Sequence, residues 1–258
     1  MLVPGGTFVL GSQATDPAAP NHDPRSGPNE SAHTVTLAPF FLARHELTQG
    51  QWQRLSGGAT PSHFRAGDAD PGGRRITAAH PVEQVDWAMA ATLLAQHGMT
   101  LPTEAQWEFG CRAGTTTPWW TGRDRESLRG AANLADGTAR QARMIWNEIA
   151  DWPGFEDGFV VHAPVDTLRA NAFGLHHVHG NVWEWCADWY SLYEVPVRPG
   201  DGLRLVPDGS GKSRVPRGGS FSNAAPAVRA AYRRDYTPVL RHQSLGVRAA
   251  RSLRRGNG

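Results

Sequence analysis

Hydrophobic positions along this chain come in short groups, and the spacing within the groups changes several times. Residues Leu2 to Leu10 alternate weakly and predict an opening strand; Thr34 to Leu37 and Phe40 to Ala43 predict two more. Between them, Gly11 to Ala32 is rich in Pro, Asn, Asp and Ser and reads as a long loop. Thr48, with Gln51 three residues on, forms a capping box opening a helix that stops near Gly57 and Gly58. A second loop, rich in Gly, Pro and Arg, runs over residues 57–80. Asp86 then caps the clearest helix, where Trp87, Ala90, Ala91 and Leu94 fall at i, i+3, i+4 and i+7 before Gly98 stops it. A third helix follows Thr103, with Gln106 in capping-box position and Trp107, Gly110 and Cys111 on its inner face; Gly114 ends it. Beyond residue 115 the period fades. Apolar clusters at Phe159 to Val161, Val182 to Trp185, Phe221 and Leu245 to Val247 stand between loops.

No internal repeat or low-complexity linker divides the chain. The expectation is one domain over residues 1–258, with 251–258 (including Arg254 and Arg255) as a solvated, flexible tail. Composition agrees: 29 Gly and 19 Pro favour turns over long elements, while ten Trp supply apolar area without aliphatic runs. A net charge of +2 does not point to nucleic acid, and nearly all the positive charge is Arg, with Lys212 the single lysine. No stretch approaches the ~20 apolar residues of a membrane helix. Met1 runs straight into Leu2-Val3-Pro4 without a signal peptide, so the expectation is a cytoplasmic protein or a domain cut from a longer chain. Two cysteines, Cys111 and Cys186, are too few for a disulfide scaffold and read as buried free thiols.

The order of short motifs carries more information. Val3-Pro4-Gly5-Gly6-Thr7-Phe8 with Gly11-Ser12 is followed by Glu46-Leu47-Thr48-Gln49. Pro81-Val82 and Val85-Asp86-Trp87 precede the run from Leu101 to Phe109, LPTEAQWEF. Asn171 to Leu175 (NAFGL) precedes Gly180 to Tyr190 (GNVWEWCADWY), and Arg217-Gly218-Gly219-Ser220-Phe221 and Gly246-Val247-Arg248 close the set. Over nearly the whole chain this series resembles the formylglycine-generating-enzyme, or sulfatase-modifying-factor, family. The resemblance implies an α+β, C-type-lectin-like fold: a small twisted sheet, few short helices and long structured loops pinned by calcium.

Calcium prefers six to eight oxygen donors from flexible loops. By the resemblance, one site would take Asn133 and the Leu134 carbonyl with Asp157 and the Phe159 carbonyl. Glu156-Asp157-Gly158 places a carboxylate on a tight turn, although an ordinary acidic turn with a capping Asn would read the same. A second site would take Glu184 with the carbonyls of Gly180 and Val182. There the expected oxygen donor is replaced by His177, whose nitrogen suits a hard cation poorly, so a weakened site or a hydrogen-bonded network around Glu184 are the alternatives. The run His176-His177-Val178-His179 has no acidic or Cys partner nearby and reads as loop histidines.

In the family's oxidases two cysteines follow the Arg-Gly-Gly-Ser motif and hold copper(I). Aligned from Ser220, those positions are Asn223 and Val228 here, so no copper is expected. The iron-dependent sulfoxide synthases of the same family carry ligand histidines on an extra N-terminal domain, which this chain does not begin with. There is no phosphate-binding glycine loop, no H-E-x-x-H and no nucleophile elbow around Ser220.

Ser222 to Ser244 falls where the family builds its substrate cleft. Ser222, Asn223, Tyr232, Arg234, Asp235, Tyr236 and His242 are the candidate ligand-binding residues, since Tyr and Arg favour binding contacts. Arg229, Arg233 and Arg241 read equally as scaffold ion pairs. The functional expectation is a calcium-stabilised, non-catalytic module binding a peptide, protein or small molecule. It resembles retroelement variable proteins and sensor domains fused to bacterial serine/threonine kinases, which would make it part of a longer signalling chain. The rival is an oxidoreductase of the same family with a non-standard site.

Overall fold

A computed structural model describes residues 1–152, 154–207 and 210–253. The expected opening strand is two: β1 (Leu2–Val3) and β2 (Gly6–Leu10). Gly5, at φ +72, turns the chain between them where an added Cβ would lie 2.5 Å from the Leu37 carbonyl oxygen. β2 pairs antiparallel with β3 (His33–Leu37), and β1 pairs with β4 (Phe40–Leu42).

Three helices follow as the caps predict. In α1 (Gln49–Leu55) and α3 (Glu104–Arg112) the hydroxyls of Thr48 and Thr103 accept the amides of Gln51 and Gln106, whose side chains return the bond. The Asp86 carboxylate caps α2 (Trp87–Gln96) by accepting the Met89 amide. A one-turn helix, α4 (Gly137–Gln141), starts from Asp136. β5 (Trp183–Trp189) lies at the centre of a mixed sheet, antiparallel to β6 (Arg214–Arg217) and parallel to β7 (Leu245–Gly246).

β8 (Ala250–Ser252) corrects the expected tail. Arg251 and Ser252 pair with Phe41 and Phe40 on β4, so the first part of that segment closes a sheet. Residues 254–258 of the expected tail lie outside the described residues.

α3 joins the sheets. Trp107 and Cys111 pack in one core cluster with Leu10, Val35, Phe40, Cys186 and Val215. A second cluster sets α2 against Trp183, Trp185, Leu245 and Val247. Buried arginines bind the layers together. Arg233 pairs with Glu104 at 2.6 Å, Arg229 with Glu30 and Asp23 at 2.8 and 3.0 Å, and Arg217 with Glu108. Arg229 and Arg233 are therefore scaffold. Arg241 is exposed and pairs with Asp86 at 2.8 Å.

Candidate functional site

The four residues expected at the first calcium position come together. Asp157 accepts the Leu134 amide through Oδ2 at 2.7 Å and the Phe159 amide through Oδ1 at 2.8 Å, so one carboxylate bridges both loops. Asn133 is fully buried. Its Nδ2 donates to the Val161 carbonyl and to Asn181 Oδ1, while its Oδ1 has no hydrogen-bond partner. Asp136, which the sequence reading passed over, sits beside them and accepts the Asp157 amide at 2.5 Å while capping α4 through the Ala139 amide. Burial, then the neighbouring Asp136 charge, holds the Asp157 carboxyl well above the ordinary range. Asn133 thus keeps an orphaned amide oxygen next in sequence to Leu134, whose amide Asp157 holds, and Asp157 and Asp136 are neighbouring carboxyls; all three are oxygen donors of the type a hard cation such as calcium takes.

The second expected set is arranged around an arginine. Both Glu184 oxygens receive Arg248, at 2.7 and 2.8 Å, and Oε2 also accepts the Trp107 indole at 2.7 Å. His177 turns away at φ +56 towards the Pro164 carbonyl at 3.1 Å. Gly180 carries the close approach of two loops: at φ +88, an added Cβ would stand 1.9 Å from the Asn133 carbonyl oxygen. Val182 is buried, and its amide points to Glu46. Glu46 is itself buried and shares this network through Asn181, and burial followed by the Glu184 charge pushes its carboxyl well up.

At the positions aligned with the copper cysteines, neither side chain is free. Asn223 Oδ1 accepts the Ser220 amide and hydroxyl at 3.1 and 2.8 Å, and its Nδ2 donates to Glu148 at 3.3 Å. Val228 is fully buried against Trp119 and Leu128. Cys111 and Cys186 are both fully buried in the core, and burial pushes both thiols up, which keeps them protonated.

Three of the remaining ligand-binding candidates gather over β5. Tyr232 and Tyr236 lie 6.2 and 6.1 Å from Trp183, ring to ring, and Arg234 sits 6.0 Å from both the Trp183 and Tyr232 rings. Ser222 bonds back to Ser220 at 3.1 Å, His242 is exposed and tied to Ser244 at 2.8 Å, and Asp235 points to solvent. Glu148, on the 3-10 turn Asn147–Asp151, is an unforeseen member: it holds Asn223 and the Ala224 amide and acts on Arg234 and Tyr236. No periodic signal in its segment announced it.

Beside His162, Glu83 has one oxygen on the Phe64 amide at 2.8 Å and the other without a partner. Burial lifts its carboxyl to about 7. A cavity of about 420 Å³ lined by Phe8, Phe109 and Phe173 lies apart from these residues, and its arginine, Arg112, is committed to Glu108.

The profile of the sulfatase-modifying factor enzyme 1-like domain matches residues 1–253. The chain belongs to that family. It is 31% identical to the formylglycine-generating enzyme of Thermomonospora curvata, over 86% of this chain and 82% of that protein. It is also 27% identical to the serine/threonine-protein kinase pkn1 of Chlamydia caviae, over 98% of this chain but 38% of the kinase. The variable protein 1 of Treponema denticola superposes with a TM-score of 0.74 at 23% identity, covering 98% of this chain and 94% of that one, a likeness of fold. The fold is thus the C-type-lectin-like architecture of this family. No helix among the described residues is long and apolar enough to cross a membrane.

Proposed function

We propose that this family member is a ligand-binding module that has set aside the oxidase chemistry, with its cleft along residues 222–242. The carrying observation is the fate of the two aligned cysteine positions. Asn223 spends its amide on Ser220 and Glu148, and Val228 is sealed in the core. Copper(I) wants thiolates, and the chain's two thiols are buried and protonated elsewhere.

Binding is supported by what the cleft exposes. Tyr232, Arg234 and Tyr236 present amphipathic surface of the kind that dominates binding energy. Val239, one of the two most exposed large apolar side chains among the described residues, falls within this stretch. The likeness to pkn1 over nearly the whole of this chain favours a sensor attached to a signalling protein.

Calcium is the cofactor of this reading. Asn133, Asp157 and the Leu134 and Phe159 carbonyls would hold it, and it would neutralise the Asp157 and Asp136 pair and pin both loops. One calcium is proposed, because the Arg248 guanidinium already occupies both Glu184 oxygens.

Metal analysis of the purified protein tests the reading. Calcium alone, near one per chain, supports it. Stoichiometric copper or iron supports the rival oxidoreductase.

A further inference from the structure

Every residue of α3 is buried except Phe109. Its ring meets Phe8 edge-on, with centroids 5.0 Å apart, and Phe173 at 5.8 Å and a tilt of 37°. Phe8 and Phe173 are also only partly buried, and all three rings pack against the main core from outside. Together they line the cavity of about 420 Å³ beside β2. That volume falls within the range of small-molecule sites, which are largely apolar with a few fixed polar groups. A flat aromatic ligand would cover the exposed ring area and find edge and tilted partners already in place.

Two polar side chains of the lining are buried, Asn21 and Arg112. Asn21 stands at φ +57 in the loop that follows β2, a conformation Asn tolerates. Its Nδ2 gives both hydrogens away, to the Val9 carbonyl at 2.6 Å and the Gly11 carbonyl at 2.7 Å. Two carbonyl acceptors on one nitrogen settle which end of the amide is which. Oδ1 accepts from no group among the described residues, and it is not one of the sealed unpartnered atoms. The loop clamp therefore uses the nitrogen alone, and leaves an open acceptor on a residue that lines the cavity.

Arg112 offers a ligand much less. Its Nε, Nη1 and Nη2 already hold Glu108, the Thr117 carbonyl and the Gly11 carbonyl, at 2.8, 3.1 and 2.9 Å. No free fork remains for an anion. We propose that this cavity binds a small, uncharged aromatic molecule carrying one N–H or O–H donor, of the indole or phenol type. The ring lies among Phe8, Phe109 and Phe173, and the donor reaches Asn21 Oδ1. The site is separate from residues 222–242 and does not depend on their forming a cleft.

Amide chemical shifts of the full chain, titrated with five probes, test the proposal. Indole and phenol are the expected ligands, 1-methylindole and toluene their donor-free counterparts, and indole-3-carboxylate the charged comparison. Indole or phenol should move the amides of residues 5–9, 20–21 and 112–116. The donor-free counterparts should bind roughly five- to tenfold more weakly, the share of one hydrogen bond, and the carboxylate should gain nothing over indole. Phe173→Ala removes one wall and should weaken indole or phenol about tenfold, with a melting curve confirming the fold; if that variant does not fold, the probe series on the parent decides. Equal binding of the donor-free counterparts, tighter binding of the carboxylate, or no binding of indole or phenol overturns the proposal. Shifts confined to residues 222–242 overturn it too, and leave the cleft reading standing.

Discussion

Asp157 accepts the Leu134 amide at 2.7 Å, so a carboxylate on one loop closes the backbone of another 23 residues away. The same carboxylate accepts the Phe159 amide. Asp157→Ala removes both bonds and should cost about 2–3 kcal/mol, since two hydrogen bonds of about 1 kcal/mol each are lost and two backbone amides are left without their acceptor. The melting temperature should fall, and added calcium or chelator should no longer move it. A variant whose melting curve still shifts with chelator contradicts the metal assignment.

The raised Asp157 carboxyl sets a direction for that calcium effect. Without a cation, the folded protein favours the protonated form more than the unfolded chain does, so this group's contribution to stability declines as pH rises through its folded value. Calcium needs the ionised form. The calcium-induced rise in melting temperature should therefore be larger at pH 8 than at pH 5, and an equal rise at both would count against the site.

Glu83 gives a second pH signature. Its carboxyl is lifted from 4.5 to about 7 by burial, so the folded state loses stability between those values as pH rises. Glu83→Gln can keep the bond from the Phe64 amide while removing the charge. It should be more stable than the parent at pH 8, by on the order of 2 kcal/mol, and close to the parent at pH 5. Denaturant melts at the two pH values decide it.

Gly180 admits no side chain. Gly180→Ala would set a methyl carbon on the Asn133 carbonyl at a positive φ, and should destabilise by about 3 kcal/mol or more. Gly57→Ala, at φ +72 with open space around it, should cost about 1 kcal/mol. Similar losses in urea melts would show that the Asn133–Gly180 approach is looser than described.

Sequence reading succeeded where the determinants are local. Thr48 with Gln51 and Thr103 with Gln106 are three residues apart, and both capping boxes form. The ordered motifs delivered the family and the fold. What stayed hidden depends on distance along the chain. Glu104 and Arg233 are 129 residues apart, and only the folded chain shows that Arg233 is scaffold while its neighbour Arg234 lies over the Trp183 ring. β6 was missed because Pro216 argues against a strand; it is tolerated because β6 lies at the sheet's edge, where a missing amide costs little. Glu148 stands in a segment without period, and contact with Asn223 alone reveals its place.

Oxygen uptake by the copper(I)-supplemented protein, given a cysteine-containing peptide and a thiol reductant, bears most directly on the reading of Asn223 and Val228. The trace should match that of copper and peptide without the protein, with the peptide thiol recovered intact. Protein-dependent oxygen consumption with conversion of the peptide cysteine to an aldehyde would contradict it.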